Sequence, residues 1–560
     1  MATPTTAPGS NKYTALAAMV FAVAMTFIDQ TIVSIAVPDI SGELGISASA
    51  IQWVINGYLL SLSAFFAFGG RLADILGHRR MVLIGVTIFA VSSALCGATP
   101  KGDGAEAWLI IFRVIQGFGA ALLFPAALAI VVAAFPLQQR GRALAIFFGI
   151  SGGLTAIGPI LGGWLTQYTW RAIFWVNVPV AIIAVVLTLL ARVNPSHRRE
   201  KLDWRGACLI VAGMALSVLG LQQASTWGWD SWRTWLSIVA GIVILVIFVL
   251  VELRTEVPLI KVRIFKDRAF TIDNAVLFFG LMAFVPLFFF ASVYSQLSLG
   301  LSANGAGLYL LIFFGGFVVA AQIGGRMLDS GGARSPLILG CAIGTIGFAL
   351  WARSLTTLQE DNQWYWIVLS GAGIGFFLGP ASTDAVNRAI NASYGEVTGI
   401  TQTLRNYGSS LSLAILGTVL LQVGRSKFTD SLTGLGVPPA DASAAANSLM
   451  SSTGGGATAA NAVPPSIREA AFAAIQRDYA EASRVVFYGM AIALFVALCF
   501  ALFHPGGKVT VENSEPAGPA RKSEPTGPVE KSGPVEKSGP VEKSGPVEKS
   551  GPVDPPVAPA

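Results

Sequence analysis

Few ionisable residues lie within long apolar stretches, where a charge is costly and therefore points to function. Three of them are the main candidates. Asp29 lies in MTFIDQTIVSIAVP, Arg113 in RVIQGFGAALLFP and Arg405 in TLRNYGSS. A carboxyl group buried in apolar surroundings binds a proton near neutral pH and releases it when a cation approaches. These residue types therefore suggest that Asp29 carries a proton and that Arg113 is its counter-charge. The alternatives are a permanent structural ion pair for Asp29, a fixed clamp for Arg113 and a polar tie between helices for Arg405.

The composition indicates that these stretches lie in a membrane. Of the 560 residues, 53% are hydrophobic and 12% charged, whereas about 25% of a soluble domain is charged. Apolar runs of roughly 20 residues recur, and lipid cannot satisfy bare backbone groups, so each run must be a helix. The sequence predicts an all-α polytopic membrane protein with about fourteen transmembrane helices near 14–37, 50–72, 81–99, 107–133, 143–167, 172–192, 206–225, 234–252, 269–297, 305–328, 335–354, 364–386, 398–422 and 485–503.

The positions of the basic residues predict the orientation. The short loops after even-numbered spans contain 18 Lys and Arg residues, and the short loops on the other side contain four. Positively charged loops stay in the cytoplasm, so both termini are expected there, in a cytoplasmic-membrane protein. Asp29 and Arg113 then lie roughly 12 Å and 9 Å below the outer surface, at 1.5 Å per helical residue. Arg405 lies nearer the cytoplasmic side.

An internal repeat predicts the architecture. GRLADILGHR follows span 2 at 70–79, and GRMLDSGGAR follows span 10 at 325–334, with five of ten positions identical. GFG with Pro125 in span 4 is likewise similar to GIG with Pro380 in span 12. The repeats are eight spans apart rather than six, so two extra helices separate two six-helix halves, an organisation that transporters use to build a central site.

This organisation divides the chain into five segments. An outer loop is expected at 424–482, with a short helix near 466–482. GPVEKS repeats make up much of the tail, and their regular Pro, Gly, Glu and Lys cannot form a packed core. The expected segments are a cytoplasmic N-terminus (1–13), the first half (14–192), a cytoplasmic loop with two linker helices (193–268), the second half (269–503, including the outer loop) and a disordered cytoplasmic tail (504–560).

Glycine and proline in span 5 favour close helix packing. The segment GPILGG combines a kink-forming proline with small residues four apart. Packing at a kink is also a way to set which side of a cavity opens. The residues concerned are Gly158, Pro159, Gly162 and Gly163.

Two further groups are candidates for gating. The loop at Asp74 and Gly77 is either a tight turn or a gate in which Asp74 holds nearby arginines or a helix N-terminus in one state. Gln116 and Gly117 follow Arg113 by three and four residues, so all three lie on one helix face.

These segments resemble the major facilitator superfamily and, within it, the fourteen-helix drug/proton antiporters. IDQTIVSIAVP is similar to the helix 1 pattern lDxTivNvAlP, with Ser34 in place of Asn. RVIQGFGAALLFP is similar to RxxQGxgaA of helix 4, whose arginine is linked there to proton transfer. GPILGG matches the core of the helix 5 antiporter motif, although Leu154 replaces a glycine upstream. The loop signature GxLaDrxGrkxx matches at Gly70, Leu72, Asp74, Gly77, Arg79 and Arg80, and differs at Ile75 and His78.

The resemblance spans residues 14 to about 503 and implies an exporter rather than an enzyme. Amphipathic, cationic or antibiotic-like molecules would leave in exchange for protons, through a monomer without a cofactor. No GxxxxGK[ST] phosphate loop occurs, so ATP is not expected as the fuel, and the basic residues lie at helix ends rather than in a nucleic-acid patch. The candidates for proton coupling are Asp29, from its charge within a span, and Arg113, which the resemblance also supports. The candidates for transport and gating are the motif residues Gly70, Asp74, Gly77, Arg79, Arg80, Gln116, Gly117, Gly158, Pro159, Gly162 and Gly163, together with Arg405, from its charge within a span.

Three alternatives to a multidrug exporter stay open. One is a dedicated exporter of a lipid, a siderophore or an endogenous metabolite, since ordinary apolar side chains do not identify a substrate. Another is a membrane sensor that binds without transport. A membrane enzyme is the third, but His78, His197 and His504 all lie at helix ends or in loops, without a metal-ligand or catalytic setting.

Overall fold

The structure, a computed structural model, describes residues 12–135, 137–191, 203–388, 394–451 and 468–507. Within these ranges every regular secondary-structure element is a helix, which confirms the predicted all-α class. Short 3-10 helices cover Val262–Lys266, Leu355–Thr357 and Glu360–Asn362. The α-helices are α1 (Lys12–Ile35), α2 (Val37–Leu44), α3 (Ala48–Leu76), α4 (His78–Gly97), α5 (Ala105–Ala134), α6 (Leu137–Thr166), α7 (Ala172–Trp175), α8 (Asn177–Leu190), α9 (Trp204–Trp227), α10 (Trp232–Glu252), α11 (Arg268–Leu297), α12 (Ala303–Gly331), α13 (Arg334–Ser354), α14 (Trp364–Arg388), α15 (Tyr394–Gly434), α16 (Pro439–Ser451) and α17 (Arg468–Leu502).

Thirteen helical segments of the described chain are long and apolar enough to cross a membrane. They correspond to the predicted spans other than the fifth, which corresponds to the 30-residue helix α6 and its apolar segment Ile157–Thr166. Successive spans run in opposite directions, so the bundle has two ends. The end at which α1 begins, with Lys12, is called here the near end, and the opposite one the far end.

Each half of the bundle is held together by glycines at which two helix backbones meet. A Cβ atom on Gly117 of α5 would overlap the carbonyl oxygen of Tyr58 on α3, and one on Gly371 of α14 would overlap that of Phe313 on α12. In lipid, helices gain little from burying apolar surface, so this close backbone packing supplies much of their attraction. The first half comprises α1 and α3 to α8, and the second comprises α11 to α15 and α17.

The two extra helices form a hairpin, α9 and α10, on the side of the bundle. Helix α9 packs against α3 of the first half and α15 of the second, while α10 contacts α9 and is mostly exposed. The hydroxyls of Ser217 on α9 and Tyr407 on α15 are 2.7 Å apart, and Thr418 donates to the carbonyl of Leu221 at 3.0 Å. Only α10 is therefore fully peripheral, because α9 covers the line where the two halves meet.

The last third of the chain differs from the predicted helix boundaries. Helix α15 continues for 41 residues, to Gly434, whereas the predicted span ended at 422. The expected short helix near 466–482 and the last span form one helix, α17, of 35 residues. Beyond it the chain stays packed as far as Gly507, so the first residues of the expected tail belong to the bundle. The GPVEKS repeats lie outside the described residues.

We expect Gly241→Leu to destabilise the protein, because a Cβ atom at this position of α10 would overlap the backbone of Ser217 on α9. Overpacking of this kind costs about 1–3 kcal/mol. Gly315→Leu on α12 is the control, since a Cβ atom there meets nothing within 4 Å. Thermal unfolding in detergent, followed by tryptophan fluorescence, measures both variants. Equal melting temperatures for the two would contradict the described hairpin packing.

Candidate functional site: a buried ion pair between α1 and α5

Asp29 and Arg113 meet inside the first half, as their similar depths suggested. Arg113 Nη1 donates to Asp29 Oδ2 at 2.6 Å, and the two side chains are 0% and 1% exposed. Gln116 completes the group: its Nε2 donates to Asp29 Oδ1 at 2.9 Å, and its Oε1 accepts from Arg113 Nη1 at 2.8 Å. Both carboxylate oxygens of Asp29 are thus satisfied by two side chains from one face of α5.

Helix α3 and an aromatic residue near α8 hold Arg113 in place. Arg113 Nε donates to the carbonyl oxygen of Val54 at 2.8 Å, and the guanidinium carbon lies 4.5 Å from the centre of the Tyr58 ring. The ring of Phe174 lies 5.9 Å away. Cation–π contacts strengthen when water is excluded, so these rings stabilise the arginine charge. The arginine is therefore fixed, whereas Asp29 is held mainly by Arg113 and Gln116.

The arrangement is suited to an exchange between two states. Two paired charges are tolerated in a low-dielectric interior only while their geometry is good. Protonation of Asp29 would remove the charge–charge attraction and leave Arg113 with Gln116, the Val54 carbonyl and the rings. Binding or loss of one proton at Asp29 can therefore alter how α1 packs on α5.

The glycines of α6 lie beside this ion pair. A Cβ atom on Gly158 would overlap Thr31 of α1, and one on Gly162 would lie 2.9 Å from the carbonyl oxygen of Ile32. On the adjacent face, a Cβ atom on Gly163 would lie 2.7 Å from the carbonyl oxygen of Ala303, in the second half. The kink residue Pro159 belongs to the same contact, because its carbonyl oxygen faces Gly307 of α12. Helix α6 thus contacts both α1, which carries Asp29, and the other half.

The loop between α3 and α4 has the geometry of a tight turn. Gly77 has φ 98, a conformation that side chains disfavour. Asp74 contacts His78, with Oδ1 and Nε2 3.0 Å apart. Arg79 Nη2 donates to the carbonyl oxygen of Leu189 at 3.3 Å. Asp74 is therefore paired with His78, one of the two positions at which this loop differs from the signature.

The remaining predicted residues take separate positions. A Cβ atom on Gly70 would lie 3.5 Å from the Cβ atom of Pro125, and Arg80 is exposed at the near end. Arg405 Nη1 donates to Gln402 Oε1 at 2.6 Å, while its buried Nε has no hydrogen-bond partner. Across the described ranges, no carboxylate forms an ion pair with Arg405. Arg405 therefore lies in α15 with only part of its hydrogen-bonding capacity used, and it is not part of the Asp29 group.

A second charged group was not anticipated from the sequence. Asp273, Asp384 and His504 are buried together at the near end of the second half. One carboxylate oxygen of each aspartate and one ring nitrogen of His504 all lie within 4.8 Å of one another. His504 lies beyond the last span, as predicted, but the sequence did not associate it with these two carboxylates. Asp273 and Asp384 lay inside predicted spans, and a search for carboxylates in spans would have found them. No local signal in the sequence brings His504 to them.

A bundle of apolar helices, with two six-helix halves and a charge pair inside the first, defines a multi-pass membrane transporter rather than an enzyme. The chain belongs to the Major Facilitator Superfamily, since the model of that family matches residues 19–413. A second model, of a Schizosaccharomyces pombe repeat of unknown function, matches residues 526–554 in the repeat tail.

Several relatives are named as resistance or export proteins. The tetracenomycin C resistance and export protein of Streptomyces glaucescens is 32% identical over 443 residues, covering 78% of this chain and 81% of its own. Multidrug resistance protein 3 of Bacillus subtilis is 29% identical over 442 residues, with 78% and 84% covered. The puromycin resistance protein pur8 of Streptomyces alboniger is 31% identical, with 74% and 82% covered.

Solved structures share the fold. A bacterial homologue of the human lysosomal transporter Spinster, crystallised inward-facing and occupied, has a TM-score of 0.57 at 17% identity, covering 89% of this chain and 97% of that one. A bacterial homologue of the human drug peptide transporters PepT1 and PepT2 has a TM-score of 0.52 at 15% identity, with 88% and 98% covered.

The ion pair predicts a particular pattern of stability. Arg113→Gln leaves Asp29 buried without its cation, and breaking such a pair costs about 3–5 kcal/mol. Replacing both partners, as in Asp29→Asn with Arg113→Gln, removes both charges and should restore most of the stability. Thermal unfolding of the purified variants gives the three values. A double variant no more stable than the single one would contradict a mutually compensating pair.

Proposed function

We propose that this transporter exports amphipathic, often cationic or antibiotic-like small molecules across the cytoplasmic membrane in exchange for protons. The observation that carries the proposal is the buried group of Asp29, Arg113 and Gln116. Within the described residues, this group pairs a carboxylate with an arginine deep inside the first half. The names of the relatives support the class of substrate. The proton gradient would supply the energy, without a cofactor or ATP, and we expect a monomer to suffice.

The orientation follows from the loops. With most short-loop Lys and Arg residues at the near end, this end would face the cytoplasm. The halves touch close to the far end, where Gln296 Nε2 donates to the carbonyl oxygen of Ile35 at 3.1 Å and Gly163 meets Ala303. For a substrate to leave the cell, these contacts must separate.

Proton exchange would be tied to this movement through helix packing. Asp29 lies on α1, and α6 packs on α1 with Gly158 and Gly162 while it contacts the second half with Gly163. A change in the pairing of Asp29 therefore acts next to the surface that must slide or separate. A proton entering from outside would release Asp29 from Arg113, and its loss to the cytoplasm would restore the pair.

A dedicated exporter of one metabolite is the second candidate. It is favoured by the printed names of two relatives, which refer to tetracenomycin C and to puromycin rather than to many drugs. A panel of unrelated amphipathic dyes and antibiotics separates the two. Export of several chemical classes supports the multidrug proposal, whereas export of one class, with lipids and siderophores included in the panel, supports the dedicated exporter.

Asp29→Asn should abolish uphill transport driven by a pH gradient, because the amide keeps the size of the side chain but cannot titrate. Uptake of a lipophilic dye into inverted vesicles measures the effect, with empty vesicles as background. Asp29→Glu should retain part of the activity. The double variant with Arg113→Gln is the control for folding, since it balances the charges and should still fail to couple. Dye accumulation at the wild-type level by the Asp29→Asn variant would contradict the proposal that Asp29 carries the proton.

Asp74→Asn should slow turnover while leaving substrate binding nearly intact, if the loop at 70–80 governs the exchange between states. The amide weakens the contact of Asp74 with His78 without changing the turn at Gly77. Binding is measured by dye fluorescence and turnover by vesicle uptake, at matched expression. Reduced membrane insertion would indicate a turn alone, and unchanged turnover at normal expression would remove Asp74 from the mechanism.

A further inference from the structure

The buried group at the near end of the second half joins three helices. Asp273 lies near the start of α11, Asp384 near the end of α14, and His504 two residues beyond α17. His504 Nε2 is 3.4 Å from Asp273 Oδ1 and 3.4 Å from Asp384 Oδ2, and all three side chains are at most 3% exposed. Three helix ends that approach the same interface therefore place their titratable groups at one point.

The group exists because residues 503–507 turn back over the end of the bundle. Arg388 Nη2 donates to the carbonyl oxygens of Gly506 and Gly507 at 3.0 and 3.1 Å. Gly507 also pairs with Gly332, in the turn between α12 and α13. These contacts position His504 above the two carboxylates, so the group is complete only while this segment is docked.

The charges of the docked group do not balance. Arg388 Nε pairs with Asp384 Oδ2 at 2.6 Å, so Asp384 is compensated. Neither carboxylate oxygen of Asp273 accepts a hydrogen bond from any described residue. Helix α17 has no charged residue between Arg484 and its end. Helix α15, which packs on α11 and α17, carries Arg405, a cation that is not exposed and that donates to Gln402. Exposed charged groups on the neighbouring elements include Asp267, Arg268, Arg326, Asp329 and Arg334.

With a neutral histidine, two carboxylates and one guanidinium leave a net charge of −1, and a buried uncompensated charge is strongly unfavourable. One added proton brings the group to zero. We propose that Asp273, Asp384 and His504 form a buried binding site for one proton, and that this proton fastens residues 503–507 to the ends of α11 and α14.

The backbone at Gly506 distinguishes a proton from a metal ion. The amide of Gly506 donates to His504 Nδ1 at 3.1 Å, so Nδ1 is an acceptor and the hydrogen of a neutral ring lies on Nε2. A metal would need the lone pair of Nε2, the atom that faces both carboxylates. The added proton has two places. On the carboxylate of Asp273 it leaves the Gly506 contact intact, whereas on the His504 ring it occupies Nδ1 and replaces the hydrogen bond from Gly506. The two groups titrate together.

The pH dependence follows from the same contacts. Burial lowers the pKa of His504, but the carboxylates of Asp273 and Asp384 outweigh it and raise the pKa from 6.5 to about 9. A group whose pKa is raised in the docked state stabilises docking fully below its free pKa, and loses this contribution as the pH rises through the docked value. The contribution of this proton to the docking of residues 503–507 is therefore fully present below about pH 6.5 and is lost as the pH rises towards 9.

Histidine-selective NMR tests the site directly. The chain contains three histidines, so ¹⁵N-histidine labelling of the protein in lipid vesicles gives few signals, and His504→Gln assigns the one of interest. We expect His504 to titrate near pH 9, and Asp273→Asn to return its midpoint towards 6.5. Asp361→Asn is the matched control, because this exposed carboxylate on another surface should leave the midpoint unchanged.

Three outcomes would overturn the proposal. They are a midpoint near 6.5 in the unaltered protein, a midpoint that Asp273→Asn does not move, and stoichiometric Zn²⁺ binding that displaces the His504 signal. The first needs no variant, so a poorly folding Asp273→Asn protein leaves the test intact. The site contains neither Asp29 nor Arg113. Failure of proton-driven transport would therefore leave this titration unchanged, and the two hypotheses fail separately.

Discussion

A carboxylate enclosed among hydrophobic helices must keep a partner, and much of the first half is arranged around that constraint. Asp29 is stable in α1 because Arg113 and Gln116 face it from one side of α5. Arg113 in turn needs the carbonyl of Val54 and the ring of Tyr58, which fixes α3 at the same depth. Gly117 permits this approach, since any side chain there would meet the Tyr58 backbone. One ionic contact thus sets how three helices pack.

Much of this arrangement could be predicted from the sequence. Apolar length predicts spans because bilayer thickness is fixed, and the offset between the two repeats indicated an inserted pair of helices. Asp29 and Arg113 were identified by the cost of charge in lipid, and the rise per residue placed them at similar depths. Helix spacing also put Gln116 on the face of Arg113, where it completes the group. These inferences succeed because each depends on local helix geometry or on a property of the bilayer, namely its thickness or the cost of a charge in lipid.

What the sequence did not indicate depends on contacts between distant segments. His504 lies beyond the last span, and only the turn of residues 503–507 brings it to Asp273, 231 positions earlier (504 − 273). The continuous helix α17 was divided in the prediction because its first part carries charges, while helix propensity and packing carry the backbone through them. The role of α9 also follows from its neighbours, since its composition resembles that of any other span.

The α9–α10 hairpin has a consequence for how molecules dissolved in the bilayer reach the interior. Two six-helix halves placed side by side leave two lateral seams, one between α3 and α15 and one between α6 and α12. Helix α9 lies along the first seam, with Ser217 and Leu221 hydrogen-bonded to α15. The membrane face of the protein is therefore asymmetric. A hydrophobic molecule in a lipid leaflet would therefore meet, in the described part of the chain, a seam not covered by α9 only at α6 and α12, where close backbone packing at Gly163 and Gly307 closes the gap.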